Sequence, residues 1–109
     1  MAGWYEVKQN SKGQYSFVLK AANAEVILQS EQYESKASAL NGLASVQKNS
    51  PDSKRYELKE AKDGRFFFNL KAGNHQVIGT SQMYKSETSR NAGAKSVSAN
   101  GPTAKVKEV

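Results

Sequence analysis

Cysteine is absent from the 109 residues, histidine occurs once and proline twice. Without cysteine there is neither a disulfide framework nor a thiolate metal site. The single histidine, His75, has no second imidazole with which to share a metal and no repeated carboxylate or nucleophile with which to form an acid–base pair. It is therefore read as an exposed turn residue, and the chain as a protein without catalytic residues, not an enzyme. Gly13, Gly64, Gly73 and Gly79 stand alone rather than in a phosphate-cradling loop, so no cofactor is implied. No apolar run approaches the roughly 18 to 20 residues of a membrane span. The segment Met1 to Glu6 lacks the basic start and apolar centre of a signal peptide. These absences lead us to expect a cytoplasmic protein with no membrane contact.

What the chain does have is a duplication. Phe17-Val18-Leu19-Lys20-Ala21-Ala22-Asn23 returns as Phe68-Asn69-Leu70-Lys71-Ala72-Gly73-Asn74, at an offset of 51 residues. The same offset lays Trp4–Leu58 over Arg55–Val109 without a gap, with roughly two positions in five identical. A unit of about 50 residues is near the size at which an isolated core becomes marginal. The two copies, about 4–53 and 55–104, are therefore expected to share one core in a single domain of residues 1–109, with 104–109 as a closing strand.

Within each copy the hydrophobic period is two. Tyr5 and Val7 alternate with Glu6 and Lys8, and Tyr15, Phe17 and Leu19 share a face, as do Phe66, Phe68 and Leu70. Asn10-Ser11-Lys12-Gly13 and Ala61-Lys62-Asp63-Gly64 punctuate the strands as hairpin turns. The next turns are expected at Ala21-Ala22-Asn23-Ala24 and Ala72-Gly73-Asn74-His75, where Asn tolerates the left-handed conformation and can hydrogen-bond its own backbone, before third strands over 25–30 and 76–81. Helices are predicted over 35–48 and 86–99, each opened by a serine N-cap and stopped ahead of Pro51 or Pro102. Shared positions Ser35, Ser38, Gly42, Ser45, Val46 and Asn49 fall on one side at helical spacing. The rings of Phe17 and Phe68 are the expected reason for a glycine at 42 and 93. The fold class is thus α+β: two tandem βββα(β) repeats in one antiparallel sheet, with two helices packed on one face.

The pattern Tyr-Glu-x-Lys, then Gly-x-aromatic-x-Phe-x-Leu-Lys-Ala-x-Asn, Val-Ile, Ser-x-x-Tyr-x-Ser, Gly-x-x-Ser-Val and Asn-x-Pro resembles the YegP-like family of small prokaryotic proteins in its duplicated form. The resemblance implies two βββαβ units that join into one sheet and exchange their C-terminal strands, and it implies no established activity. Arg55 in place of Trp4 and Gly79 in place of Leu28 depart from the repeat, which predicts different packing of the second copy's first and third strands.

Net charge is +6, and the partition is uneven: five Lys against four Glu in residues 1–51, eleven Lys and Arg against six Asp and Glu in residues 52–109. A basic surface attracts polyanions without selecting a fold. Lys20, Lys71, Arg65 and Arg90 are the candidate polyanion contacts, weighed against solvated side chains. Ser30, Tyr33 and Ser35, with Ser81, Tyr84 and Ser86, read as strand exits and helix caps rather than as a hydroxyl-lined site. Partners are protein or nucleic acid, and a monomer with internal pseudo-twofold symmetry is expected. The reading that follows is a small binding or interaction module, its concrete alternative being weak, sequence-independent nucleic-acid binding. A basic aromatic sheet face would favour nucleic acid, a bland polar one protein contacts, and a pocket with paired titratable groups an enzyme.

Overall fold

The computed structural model describes residues 3–109; Met1 and Ala2, part of the segment compared with a signal peptide, lie outside them. The elements run β1 (Trp4–Gln9), β2 (Tyr15–Lys20), β3 (Val26–Gln29), α1 (Lys36–Asn49), a 3₁₀ turn (Ser53–Arg55), β4 (Tyr56–Glu60), β5 (Phe66–Lys71), β6 (Val77–Thr80), α2 (Glu87–Asn100) and β7 (Val106–Glu108). One seven-stranded sheet results, in the order β4-β5-β6-β3-β2-β1-β7. The third strands of the two repeats meet at its centre through Gln29 and Thr80.

Short turns make each meander. Gly13 and Gly64 adopt φ of +82° and +86°, which a side chain would resist. In the second turns the left-handed residues are Ala24 and His75, at φ 69° and 70°, so of the two roles open to Asn23 and Asn74 it is the side-chain bond to the backbone that they take. The asparagines act one position earlier, their Oδ1 accepting from the amides of Glu25 and Gln76. Such Asx turns fix the bend, and the next residue bears the positive φ. Ser35 and Ser86 cap the helices by accepting from Ser38 N and Ser89 N, which accounts for their place in the repeat. Ser30 and Ser81 accept from the amides of Phe17 and Phe68 and continue the ladder past the strand ends.

Both helices cross one face of the sheet, and each reaches strands of both repeats: α1 touches β2, β5 and β6, while α2 touches β5, β3 and β2. Between helices and sheet lie Tyr5, Val7, Phe17, Leu19, Leu28, Leu43, Val46, Phe68, Leu70 and Val97, all buried in one cluster. Burial per residue of this kind supplies about 1.5–3 kcal/mol each, and no copy holds such a cluster by itself. The buried side of α1 is Ala39, Leu43 and Val46 rather than the serine side, since Ser38 is exposed. Gly42 and Gly93 do permit close approach, but to tyrosines: a Cβ at Gly42 would meet the Tyr33 hydroxyl, with Phe17 next, and one at Gly93 the Tyr84 hydroxyl. Each tyrosine is held over the helix by a bridge to Tyr15 or Phe66.

Two positions define the pseudo-twofold axis. Leu28 packs on Gly79, its own counterpart, so closely that a Cβ there would stand 2.6 Å from Leu28 Cδ2. Ser50 likewise fills the space at Gly101, its counterpart. A residue can touch its counterpart only on the axis, where two equal side chains would collide. The departure at Gly79 is the relief of that collision.

The sheet is antiparallel except at one place. β7 lies parallel to β1, pairing Tyr5 with Val106, Glu6 with Lys107 and Val7 with Glu108, where an antiparallel sheet throughout was expected. The cause is where the chain leaves α2. Asn100 Oδ1 accepts from Gly3 N at 2.7 Å, and Gly101 O accepts from the Tyr5 hydroxyl at 2.7 Å. Strands β7 and β1 therefore start from the same end. The exchange of the terminal strand between repeats is present, as is its image: Tyr56 donates to Ser50 O, at the end of α1, at 2.8 Å.

A candidate nucleic-acid interface on the open sheet face

The helices occupy one side of the sheet, and among the described residues the other side is covered by no element. Register carries one row of its residues across all seven strands: Lys107, Glu6, Val18, Gln29, Thr80, Asn69 and Glu57. Alternation along each strand puts Trp4, Lys8 and Lys20 on the same face in the first repeat, and Lys59, Phe67 and Lys71 in the second. Since β1 and β5 run the same way, Trp4 and Phe67, each two residues before the central row, lie on the same side of it. Trp4 faces Lys20 across the ladder, and Phe67 faces Lys59. Four strand spacings separate β1 from β5, so the two rings stand roughly 19 Å apart.

Electrostatics on this face are those of lysines in partial balance. Lys20 Nζ lies 3.2 Å from Glu6, and Lys71 Nζ 3.0 Å from Glu57. Lys59 is 3.8 Å from Glu57, and Lys107 Nζ sits 4.9 Å above the Trp4 ring. The indole donates to Glu6 at 2.9 Å, and that hydrogen bond, ahead of Lys20, lowers the glutamate's pKa. The Asn69 amide and then Lys71 do the same for Glu57. Both carboxylates stay charged at neutral pH and each neutralises part of its lysine neighbours. Five lysines against two glutamates leave the face positive.

Of the residues singled out from sequence, the fold brings Lys20 and Lys71 to this face. Arg65 is in the β4–β5 turn, its Nε 2.7 Å from Asp63. Arg90 is on the helix side, 7% exposed, with its guanidinium 5.4 Å from the Phe66 ring and Nη1 donating to Lys59 O. It takes the place of Ala39 in the first repeat and packs there instead of facing solvent. Sequence reasoning missed Trp4, Lys8, Lys59 and Lys107 as one set. The period-two pattern already put Trp4 and Lys8 on the polar side of β1; only register could add Lys107 and align Phe67.

A groove of about 580 Å³ runs between α1 and the β5–β6 turn and is lined by Tyr33, Ser38, Asn41, Ser45, Asn74 and Gln76 among others. Its ionisable side chains are Glu31 and the Tyr33 phenol, and no histidine, lysine or arginine lines it. Among the described residues no three His, Cys, Asp or Glu side chains gather as a metal site would require, and no helix is long and apolar enough to cross a membrane.

Comparison with known proteins matches both repeats to one family model, described as a domain of unknown function (DUF1508), over residues 10–57 and 61–108. A UPF0339 protein of Acinetobacter baylyi is 62% identical over 109 residues, covering 100% of this chain and 98% of that protein. The UPF0339 protein YegP of Escherichia coli K12 is 56% identical over 108 residues, covering 99% and 98%. The solution structure of E. coli YegP, a protein of unknown function, superposes with a TM-score of 0.94 at 56% identity, covering 99% of this chain and 93% of that one. A UPF0339 protein of Shewanella oneidensis, also solved in solution, gives 0.93 at 55% identity, with coverage of 99% and 92%.

Proposed function

Because the chain belongs to the YegP (UPF0339) family, built on tandem DUF1508 domains of unknown function, we propose from its geometry that it binds single-stranded nucleic acid, weakly and without sequence preference, on the open face of the sheet. The observation that carries this is the pairing of each exposed-face ring with lysine: Trp4 with Lys20 and Lys107, Phe67 with Lys59. Bases stack on aromatic rings for about 1–3 kcal/mol each whatever their identity, and lysines follow the phosphates. The ion pairs with Glu6 and Glu57 keep the affinity low, since a phosphate must displace a carboxylate. Of the amide and hydroxyl side chains in the central row, Asn69 and Thr80 are already bonded to each other and Asn69 to Glu57, so discrimination between sequences is not expected. The protein acts by binding and not by turnover, a reading supported by a groove whose ionisable side chains, Glu31 and Tyr33, have no histidine, lysine or arginine beside them. It does so as a cytoplasmic monomer whose two repeats supply one surface.

The test is titration of short labelled single-stranded RNA and DNA at low and physiological salt. Affinity should fall steeply with salt, with about 0.7 of slope for each lysine–phosphate contact. Trp4→Ala and Phe67→Ala should each weaken binding at least about fivefold. Lys20→Ala and Lys71→Ala should reduce the slope, while Lys48→Ala, on α1 across the molecule, should change nothing. Absence of binding even at low salt refutes the reading.

A further inference from the structure

The two repeats end their sheets differently. Strand β1 is covered by β7, whereas β4, its counterpart, pairs among the described residues with β5 alone and forms a free edge. Val7 is consequently 2% exposed and its counterpart Leu58 51%. Beside Leu58 runs a groove of about 390 Å³ lined by Tyr56, Leu58, Asn91, Ala94, Lys95 and Ser98. It is the image, across the pseudo-twofold axis, of the place where β7 lies between β1 and α1.

The image is nearly complete. At β1, Tyr5 N donates to Lys105 O, and Val7 O accepts from Val109 N. At β4 the first of these bonds is already replaced, since Tyr56 N donates to Ser53 O. The vacancy therefore begins opposite Tyr56 and runs past Leu58, a space for the four residues that correspond to 106–109. A strand edge left unpaired is a template for pairing with another chain, and on β4 Leu58 is its exposed apolar contact among charged neighbours.

We infer that the β4 edge and the groove beside α2 dock an extended segment of another protein, parallel to β4, reading apolar–acidic–basic–apolar. The apolar positions follow from Val106 and Val109, which flank β7's two charges. The charges follow from substitutions across the axis. Lys107 lies over Trp4 and opposite Glu6; Arg55 stands at Trp4's position, with Nε 3.5 Å from Asp52 but without a hydrogen bond there, and Glu57, at Glu6's position, is already held by Lys59 and Lys71, so a carboxylate fits where Lys107 would meet three cations. Glu108 pairs with Lys36 on α1, and Glu87 stands at Lys36's position, its side chain 70% exposed; a lysine or arginine fits where Glu108 would be repelled. The chain's own C-terminal strand carries the opposite order, Val-Lys-Glu-Val, and is already engaged at β1. A second copy's tail is thereby disfavoured as the occupant.

The experiment uses the whole protein, ¹⁵N-labelled, titrated with a synthetic heptapeptide of residues 103–109 carrying Lys107→Glu and Glu108→Lys. Amide shifts at Leu58, Lys59 and Ala94 should move and saturate. The unaltered heptapeptide should bind more weakly, by up to about fivefold for each mismatched exposed ion pair. Glu87→Lys should narrow the preference between the two peptides, and Leu58→Lys, at an exposed site, should abolish binding while leaving the rest of the spectrum in place. Four results would overturn the inference: no saturation up to millimolar peptide, equal binding of both peptides, shifts confined to β1 as β7 is displaced, or concentration-dependent self-association through β4 that neither peptide disturbs.

Discussion

The first and second repeats carry the same elements at an offset of 51 residues, and they differ most where they meet each other and where the chain ends. At the axis, the first repeat supplies Leu28 and Ser50 and the second supplies Gly79 and Gly101. At the sheet edge, the first repeat receives β7 and the second receives nothing. Both differences teach that a duplicated unit cannot remain a pair of equal copies once fused. The axis forbids two large side chains in one space, and one strand, β7, covers one edge of the sheet.

The strongest way to break the comparison is to make the copies equal at the axis. Gly79→Leu sets a second side chain against Leu28, where even a Cβ would be 2.6 Å from Cδ2, and the expected loss is about 3 kcal/mol or more. Exchanging the two residues, Leu28→Gly with Gly79→Leu, should recover most of it, because one side chain again occupies one space. Urea unfolding of the single and double variants checks this, and strictly additive losses would show that the two positions do not share a cavity.

A smaller effect follows from making the first repeat resemble the second at its edge. Deleting residues 104–109 removes the β1–β7 ladder and bares Tyr5 and Val7. Large exposure of Val109 (69%) and Val106 (40%) in the intact fold limits the apolar loss, so a cost of about 2 kcal/mol is expected, chiefly backbone hydrogen bonds, rather than the several kcal/mol that full burial of the strand would give. The melting temperature should fall by roughly 8–16 °C, with dimerisation through the freed edge at high concentration. An unchanged melting curve would show that the ladder contributes nothing.

The smallest expected effect sharpens one respect in which the repeats agree, the Glu6–Lys20 and Glu57–Lys71 pairs. Both glutamates have lowered pKa values, so their contribution to stability is present above the ordinary glutamate range and is lost as pH falls through the depressed values. In that same window each lysine is released from its carboxylate. Affinity for single-stranded nucleic acid should therefore rise modestly below the ordinary glutamate range, and Glu6→Gln with Glu57→Gln should give the same gain at neutral pH. Fluorescence anisotropy across pH, with far-ultraviolet circular dichroism to follow the fold, reads both.

Much of the architecture is legible without coordinates. Period-two runs around Phe17 and Phe68, serine caps at 35 and 86, and prolines after each helix are local signals, and local signals decide elements. Asn23 and Asn74 marked their turns correctly yet did not bear the positive φ, because an Asx side chain can fix a bend while passing the left-handed residue to Ala24 or His75. Arg90 looked like a surface cation because its helix is polar, and only packing against Phe66 and Lys59 shows that it is inside.

By itself, then, the sequence determined a duplicated α+β chain with shared core faces, since periodicity and repetition are properties of neighbouring residues. Tertiary structure alone decided three things. It made β7 parallel to β1, because the end of α2 is tied to Gly3 and Tyr5. It gave Gly79 its reason, because that residue meets Leu28 on the axis. It put Trp4 and Phe67 on the same side of one open face, because that depends on the register of five strands at once, which no single stretch of the chain encodes.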